Sequence, residues 1–398
     1  MISMSEEKLF PKLRFKGFDE EWKSYKIGDI SKTYSGGTPS TSIKEYYEGD
    51  IPFIKSGEIN NDITEQYITE DAINNSSAKR VQKGDLLLAL YGATSGEVAI
   101  SKINGAINQA VLKIDNDMDN YFQYNYFLKY KEQITHKYLQ GGQGNLSANI
   151  IKKLEFKFPE LSEQQKISKF LLLIDKKIQF LEKKHTAYQD FKKYLMQQIF
   201  AQKLRFADCN DEWNLFKLGD IVELMRNGSS ENQVSFKTEF PVTRIETISK
   251  GILNFDKVGY VEKIDSSYLL QYGDILLSNI NSLKYIGNCV FFDEDKTLYH
   301  GMNLMLMRFK DRFNKKYLFY YMKFYQQWFQ KMACQAVNQA SINLSSLKKF
   351  PFYIPPTIDE QNKIVSVIDN TEHKINSIEE QILKMKDFKK GLLQQMFV

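Results

Sequence analysis

The chain has 398 residues, 42% hydrophobic and 26% charged, the balance of a globular protein with room for two or three domains. The longest apolar runs, LLLAL and FLLLI, are far too short to span a bilayer, and the opening MISMSEEKLF is acidic and lacks an apolar stretch, so a cytoplasmic protein is expected. Three separated cysteines (Cys209, Cys289, Cys334) without C-x-x-C spacing read as buried, reduced thiols, and a net charge of +5 permits attraction to nucleic acid without announcing it.

Taken in chain order, the first motif is LRFKGFDEEWKSYKIGDI at residues 13–30, which returns as LRFADCNDEWNLFKLGDI at 204–221 with Trp22 matched by Trp213. Strand-like runs follow, and they repeat too: KGDLLLA as YGDILLS, GEVAI as GNCVF, and INQAVLKI as MNLMLMRF, which pairs Asn108 with Asn303. NLS at Asn145 returns at Asn343, EQQKI at 163–167 as EQNKI at 360–364, and DFKKYLMQQIF at 190–200 as DFKKGLLQQMF at 387–397. The offset drifts from 191 to 198 and settles at 197, so the chain is a tandem duplication with insertions inside each half. Residues 31–73 have no clear echo in the second half. The halves share a frame and differ on a surface.

Each half opens as a compact α+β domain with an aromatic-rich helical stretch, then changes character after FKFPELSEQQKI and FYIPPTIDEQNKI. Proline followed by Ser or Thr and then Glu and Gln is a helix start. From there apolar residues step by threes and fours: Ile167, Leu171, Ile174, Ile178 and Leu181 in the first copy, and Ile364, Ile368, Ile375, Ile378 and Ile382 in the second. This is a coiled-coil seam, and a helix of about 40 residues is roughly 60 Å long. If the two seams meet along their length, connectivity makes them antiparallel. The expected fold class is therefore α+β: two related globular domains (1–158 and 204–355) separated by an antiparallel two-helix coiled coil (159–203 and 356–398), a pseudo-two-fold internal repeat.

Signatures of catalysis are missing: no phosphate loop, no G-x-G-x-x-G, no nucleophile elbow, no H-E-x-x-H and no Asn-Pro-Pro-aromatic element, and the four histidines are scattered. Binding fits a duplicated frame with divergent faces better, because pseudo-two-fold proteins read DNA half-sites on successive turns of the duplex. A coiled-coil scaffold that binds only proteins is the alternative.

The doubled set in order, LRF…W…LGD, the Gly-Asp-apolar strand, NLS…FP…EQ and F-K-K-x-L-x-Q-Q-x-F, resembles the specificity subunit of type I restriction-modification systems over essentially the whole chain. The resemblance implies two target-recognition domains, each reading one half of an asymmetric, bipartite site in double-stranded DNA. It also implies a non-catalytic chain with no cofactor of its own. Two modification subunits that bind S-adenosylmethionine and methylate adenine, and restriction/motor subunits that use ATP with Mg, would assemble on it, with no role for a membrane.

Base discrimination needs polar side chains on loops at the groove, with further groups holding phosphates. In the first half the candidates are Ser35, Gly36, Gly37 and Thr38, then Lys55, Tyr91 and Thr94, and Gln140, Gln143 and Asn145. In the second they are Arg226, Asn227 and Ser229, then Arg244, Asn279, Asn281 and Lys284, and Gln335, Asn338 and Gln339. The aromatic helical stretches are expected to dock on the sheet of each domain, and Trp22 and Trp213 to be structural anchors at the domain entrances. The two Gln-Gln-aromatic helix ends fit packing or a partner that comes in pairs.

Overall fold

The computed structural model describes residues 10–139, 145–249, 251–335 and 340–398. The chain divides into two compact units, one running to Lys183 and rejoined by Glu379–Val398, the other spanning Lys184–Ile378.

In the first unit the strands are β1 (Lys23–Lys26), β2 (Lys32–Ser35), β3 (Ile51–Ile54), β4 (Tyr67–Ile68), β5 (Lys79–Val81), β6 (Leu86–Ala89), β7 (Val98–Ile100), β8 (Gly105–Ile107), β9 (Val111–Asp115) and β10 (Glu155–Phe158). A four-stranded antiparallel sheet in the order β2-β9-β6-β7 forms the centre. All four residues of β6 are buried, which requires a cover on both faces. Alternation supplies it: Leu86 and Leu88 pack with Phe122, Phe127 and Ile134 of the aromatic helix Asn120–Leu139, while Leu87 and Ala89 face Ile54, Val81 and Ile107. The second sheet, β4-β3-β8-β5, carries those last three residues, and its strands β3 and β4 come from the stretch without an echo.

The second unit has β11 (Asn214–Lys217), β12 (Val222–Asn227), β13 (Gln233–Val234), β14 (Phe240–Val242), β15 (Gly259–Val261), β16 (Ile275–Leu277), β17 (Ile280–Asn281), β18 (Cys289–Phe291), β19 (Met305–Phe309), β20 (Cys334–Gln335), β21 (Ala340–Ser341) and β22 (Pro351–Ile354). Its central sheet, β12-β19-β16-β18, repeats that of the first unit, and β11-β22 repeats β1-β10. Where the first unit has β4-β3-β8-β5, the second has the small sheet β13-β15-β14 and a separate β17-β21-β20. The frame is duplicated, and the second layer recurs only in reduced form: Tyr299 bridges Val242 of β14 in parallel and Leu269 in antiparallel, where β8 pairs with β3 and β5 in the first unit. The expected aromatic stretch is two helices here, Lys315–Phe324 and Gln326–Met332, and just past the break the Gln326 side chain donates to the Ile286 carbonyl (3.2 Å) and Asn288 Oδ1 (2.6 Å). Of the cysteines, Cys289 is buried as expected, whereas Cys209 sits half-buried in a turn before Trp213.

Two long helices, Leu161–Phe200 and Ile358–Met396, each begin in one unit and end in the other. Within the first unit Ile167, Leu171, Ile174 and Ile178 join the central core together with Leu392, Leu393, Met396 and Phe397, and Leu181 and Ile382 are buried as well. Ion pairs Asp175–Lys389 (2.7 Å) and Glu182–Lys386 (2.6 Å) show the two segments running antiparallel there. In the second unit Ile364 and Ile368 join Leu195, Met196, Ile199 and Phe200 in the core, Ile375 and Ile378 are buried, and Lys192–Glu372 (2.8 Å) repeats the Lys389–Asp175 pair. Burying each such Leu or Ile is worth about 1.5–3 kcal/mol, so neither segment could hold its stripe in water alone.

The repeated motifs make the same contacts in both units. Arg14 donates to both oxygens of buried Glu163 (2.8 and 2.7 Å), and Arg205 does the same to Glu360 (3.1 and 2.9 Å). Gln164 donates to the Pro159 carbonyl and accepts from the Asp119 backbone at the entry to the aromatic helix; Gln361 does so with Pro355 and Asn314. Phe397 meets Trp22 and Phe122, and Phe200 meets Tyr317 and Tyr321. Asp85 and Asp274, the acids of the Gly-Asp strands, close the turn by accepting from Gln82 and Gln271, and pair with Lys113 and Arg308.

Candidate nucleic-acid interface

Antiparallel pairing decides which loops gather. In the first unit Ser35 pairs with Leu112, and Ala89 pairs with Val111, so the end of β2, the start of β9 and the end of β6 lie together at one end of the sheet. The long helix starts at the opposite end, beyond the close of β9, where Asp119 accepts from Ser168 at 2.5 Å. The loops after β2, before β9 and after β6 therefore share a surface away from the helix start.

Four contacts bind that surface. Gly36 donates to the Val111 carbonyl (3.4 Å), Thr38 donates to Gln109 Oε1 (2.6 Å), and Leu90 donates to the Ala110 carbonyl (2.8 Å). The Leu90 carbonyl accepts from Leu146 (2.9 Å), so the NLS segment is held against the β6–β7 loop. Gly36 and Gly37 are buried, and they are glycines for a reason of space. A Cβ on Gly36 would lie 1.8 Å from the Ile107 carbonyl oxygen, and one on Gly37 2.5 Å from the Ser77 Cβ. Ser35 is half-buried at the end of β2. Tyr91 is exposed and Thr94 half-buried in a loop turned by Gly92 and Gly96, both at positive φ. Asn145 is exposed just before Ser147, which caps the helix Ala148–Lys152. Lys55 follows β3 and lines an open groove with Thr38. Gln140 and Gln143 lie outside the described residues.

The second unit gathers the equivalent loops at the equivalent end: Asn227 pairs with Met305, and Leu277 pairs with Met305. Gly228 repeats Gly36, since a Cβ there would lie 1.8 Å from the Gly301 carbonyl oxygen. The link from Ile342 to the Asn279 carbonyl (2.9 Å) repeats Leu146 on Leu90, and Asn343 caps the next helix as Ser147 does, so the two NLS phrases sit two residues out of register in the fold. Here it extends into a small sheet, with Ile280 opposite Ser341 and Asn281 opposite Ala340, so two loops expected to bind are joined.

The side chains in these loops differ from those of the first unit. Arg226 lies 3.9 Å over the Tyr268 ring and donates to the Ser267 carbonyl, so it is a held cation and not a free one. Arg244 is exposed beside Glu246 (3.5 Å), and Lys284 is exposed with its ammonium 5.4 Å over Tyr285. Ser229 is buried and accepts from the Glu231 backbone, Asn279 is buried, and Asn281 bonds Ser278 and Ser282. Gln335 belongs to β20; Asn338 and Gln339 lie outside the described residues.

One hub escaped the sequence. His300 is fully buried, its carbonyl accepts from Ser229 (2.9 Å), its N–H donates to the Tyr268 carbonyl (2.8 Å), and Nε2 meets the Leu304 carbonyl (3.0 Å). Burial drives its imidazole pKa down to about 4, so it is neutral at pH 7. A lone histidine gives no warning of this, because every partner is backbone. Among the described residues no group of three potential metal ligands occurs, and no helix is long and apolar enough to cross a membrane.

A family model described as the type I restriction modification DNA specificity domain matches the chain twice, at residues 19–189 and 210–385. A protein of Methanocaldococcus jannaschii described as the MjaX type I restriction enzyme specificity subunit is 36% identical over 204 residues, 49% of this chain and 48% of that protein. The MjaIX type I restriction enzyme specificity subunit of the same organism is 29% identical over 258 residues, 58% of this chain and 59% of its own length. The chain thus aligns with about half the length of these curated relatives. The crystal structure of a type I restriction-modification S subunit from M. genitalium superimposes with a TM-score of 0.61 at 16% identity, covering 98% of this chain and 99% of that one, a likeness of fold.

Proposed function

The chain belongs to the type I restriction-modification DNA specificity family, and from that premise we propose that it reads duplex DNA in two separate stretches, one at the loop end of each unit. The observation that carries this reading is the pairing of a duplicated sheet end with unlike side chains. Gly36 and Gly228 hold the same backbone crossing, whereas Thr38, Lys44 and Lys55 line an open groove beside the first and Arg226 lies over the Tyr268 ring beside the second. A common frame with different contacts suits two different half-sites in one asymmetric target. In this reading the two globular domains are residues 1–158 and 204–355, and the helical segments 159–203 and 356–398 are the spacer between the two readings.

The chain supplies recognition and leaves the chemistry to partners. Modification subunits carrying S-adenosylmethionine and restriction subunits using ATP with Mg assemble with it on DNA in the cytoplasm. Two copies of the modification subunit fit the duplication. Phe191 and Phe388, equivalent members of the repeated D-F-K-K phrase, are 50% and 52% exposed, while the Leu, Met and Phe residues that end each phrase are buried in the cores. Each exposed ring is a place for one partner copy.

The test is selection of duplexes from a random pool by the chain with its modification partner. Two short blocks with a constant gap are expected. A pool that stays random, or a single uninterrupted block, would contradict the reading.

A further inference from the structure

We propose that the groove beside Thr38 in the first unit is the surface that reads base edges of one half-site, with Lys55, Gln66 and Asn108 facing the bases and Lys44 holding phosphate. The proposal rests on the DNA-reading function above and deepens it.

Specificity must reside where the halves differ, and the groove is built almost wholly there. Every side chain that lines it except Asn108 falls within residues 31–73, where the two halves agree least in sequence. Asn108 is the shared element, returning as Asn303. The fold converts that difference into shape. Buried Phe53 of β3 gives the groove an apolar base, and Tyr47 donates to the Pro39 carbonyl (2.7 Å), tying one wall to the loop that leaves β2. The result is an open groove of about 530 Å³ beside the loop end of the central sheet.

Its polar groups fit nucleic acid better than a small metabolite. Among the described residues Lys44 and Lys55 have no ion-pair partner, although sixteen ion pairs occur elsewhere among those residues. Lys44 is exposed at the rim, where an ammonium meets a phosphate; Lys55 is half-buried deeper in, where it can reach guanine O6 and N7. Gln66 and Asn108 carry amides, the groups that read adenine. The Asn108 oxygen is taken by the Ala110 backbone (3.0 Å), which fixes the side chain and leaves its N–H₂ to donate. Glu48 is the acceptor-only member of the lining and suits the cytosine amino group. Acceptors and donors of both kinds in one open, partly cationic groove match a base-pair edge flanked by phosphate.

The experiment repeats the random-duplex selection with the full chain and its modification partner, comparing Lys55→Ala, Gln66→Ala and Lys44→Ala with the unaltered chain. Lys55→Ala and Gln66→Ala are expected to relax the preferred base at one or two positions of a single block, by roughly 5- to 150-fold each, with the other block and the gap intact. Lys44→Ala is expected to weaken all sequences alike and to lower the salt slope by about one. Retention of the unaltered positions of the first block, together with the second block, shows that both units of the variants fold. If both blocks keep their letters in Lys55→Ala and Gln66→Ala, the groove is not the reader and the proposal fails while the DNA-reading function stands. If the unaltered chain selects no split sequence, that function fails first.

Discussion

The Arg14 guanidinium donates two hydrogen bonds to the Glu163 carboxylate, joining the first motif of the chain to the first turn of a helix that begins almost 150 residues later. The carboxylate is 2% exposed and depends on this partner, and the bond to Glu163 in turn raises the Arg14 pKa. Removing one member of a buried pair strands the other charge, at a cost of about 3–5 kcal/mol. Glu360 has an extra donor, Trp213 Nε1 at 3.1 Å, in addition to Arg205. Arg14→Ala should therefore lower the urea midpoint more than Arg205→Ala, and equal shifts would show that the tryptophan bond contributes nothing.

Gly36 and Gly228 should reject any side chain. With a carbonyl oxygen 1.8 Å from the added Cβ at each site, Gly36→Ala or Gly228→Ala must move backbone, costing several kcal/mol, on the order of an overpacked core. Gly391 is the control, lying inside a helix with nothing within 4 Å of its Cβ position. Gly391→Ala should stabilise by about 0.5–1 kcal/mol. Thermal unfolding of the three variants separates the cases; tolerance of alanine at Gly36 would refute the close crossing.

The burial of His300 has a pH signature. Its folded-state pKa is depressed to about 4, below the ordinary value of 6.5, so the unfolded chain binds the proton more readily. Its contribution is present in full above pH 6.5 and is lost as pH falls from there toward 4, on the order of 3 kcal/mol over the whole range. Between pH 7 and 5 the unaltered chain should lose stability more steeply than His300→Asn, by denaturation monitored at each pH. Parallel curves would show that His300 titrates normally.

Phe191→Ala and Phe388→Ala should leave unfolding within about 0.5 kcal/mol of the parent, since both rings are exposed. Sedimentation with the modification subunit should show one copy bound to each single variant and none to the double variant. Two copies on the double variant would place docking elsewhere.

What the sequence disclosed followed from duplication. Arg14 and Arg205, Glu163 and Glu360, and Asp85 and Asp274 repeat because each pair makes one contact twice, so the recurring letters marked the frame, and the 3.5-residue stripe marked the buried faces of the long helices. The loops were less legible, because their side chains answer to partners far along the chain. Arg226 looks free in sequence and is held by Tyr268; Gly36 and Gly37 look like a flexible turn and are packing glycines set against Ile107 and Ser77. Lys44 and Gln66 carry no local sequence signal, since only the folding of residues 31–73 brings them beside Thr38 and Lys55.

The central claim is that the loop end of each central sheet meets DNA. Hydrogen exchange of the chain with its modification partner, with and without a duplex taken from the random selection, tests it most directly. Slowed exchange is expected at residues 36–42, 90–97 and 108–110 in the first unit and at 228–233, 278–288 and 301–304 in the second, with little change at Asp119 or Asn314 on the opposite ends of the sheets. Protection confined to those opposite ends, or to one unit alone, would contradict the account.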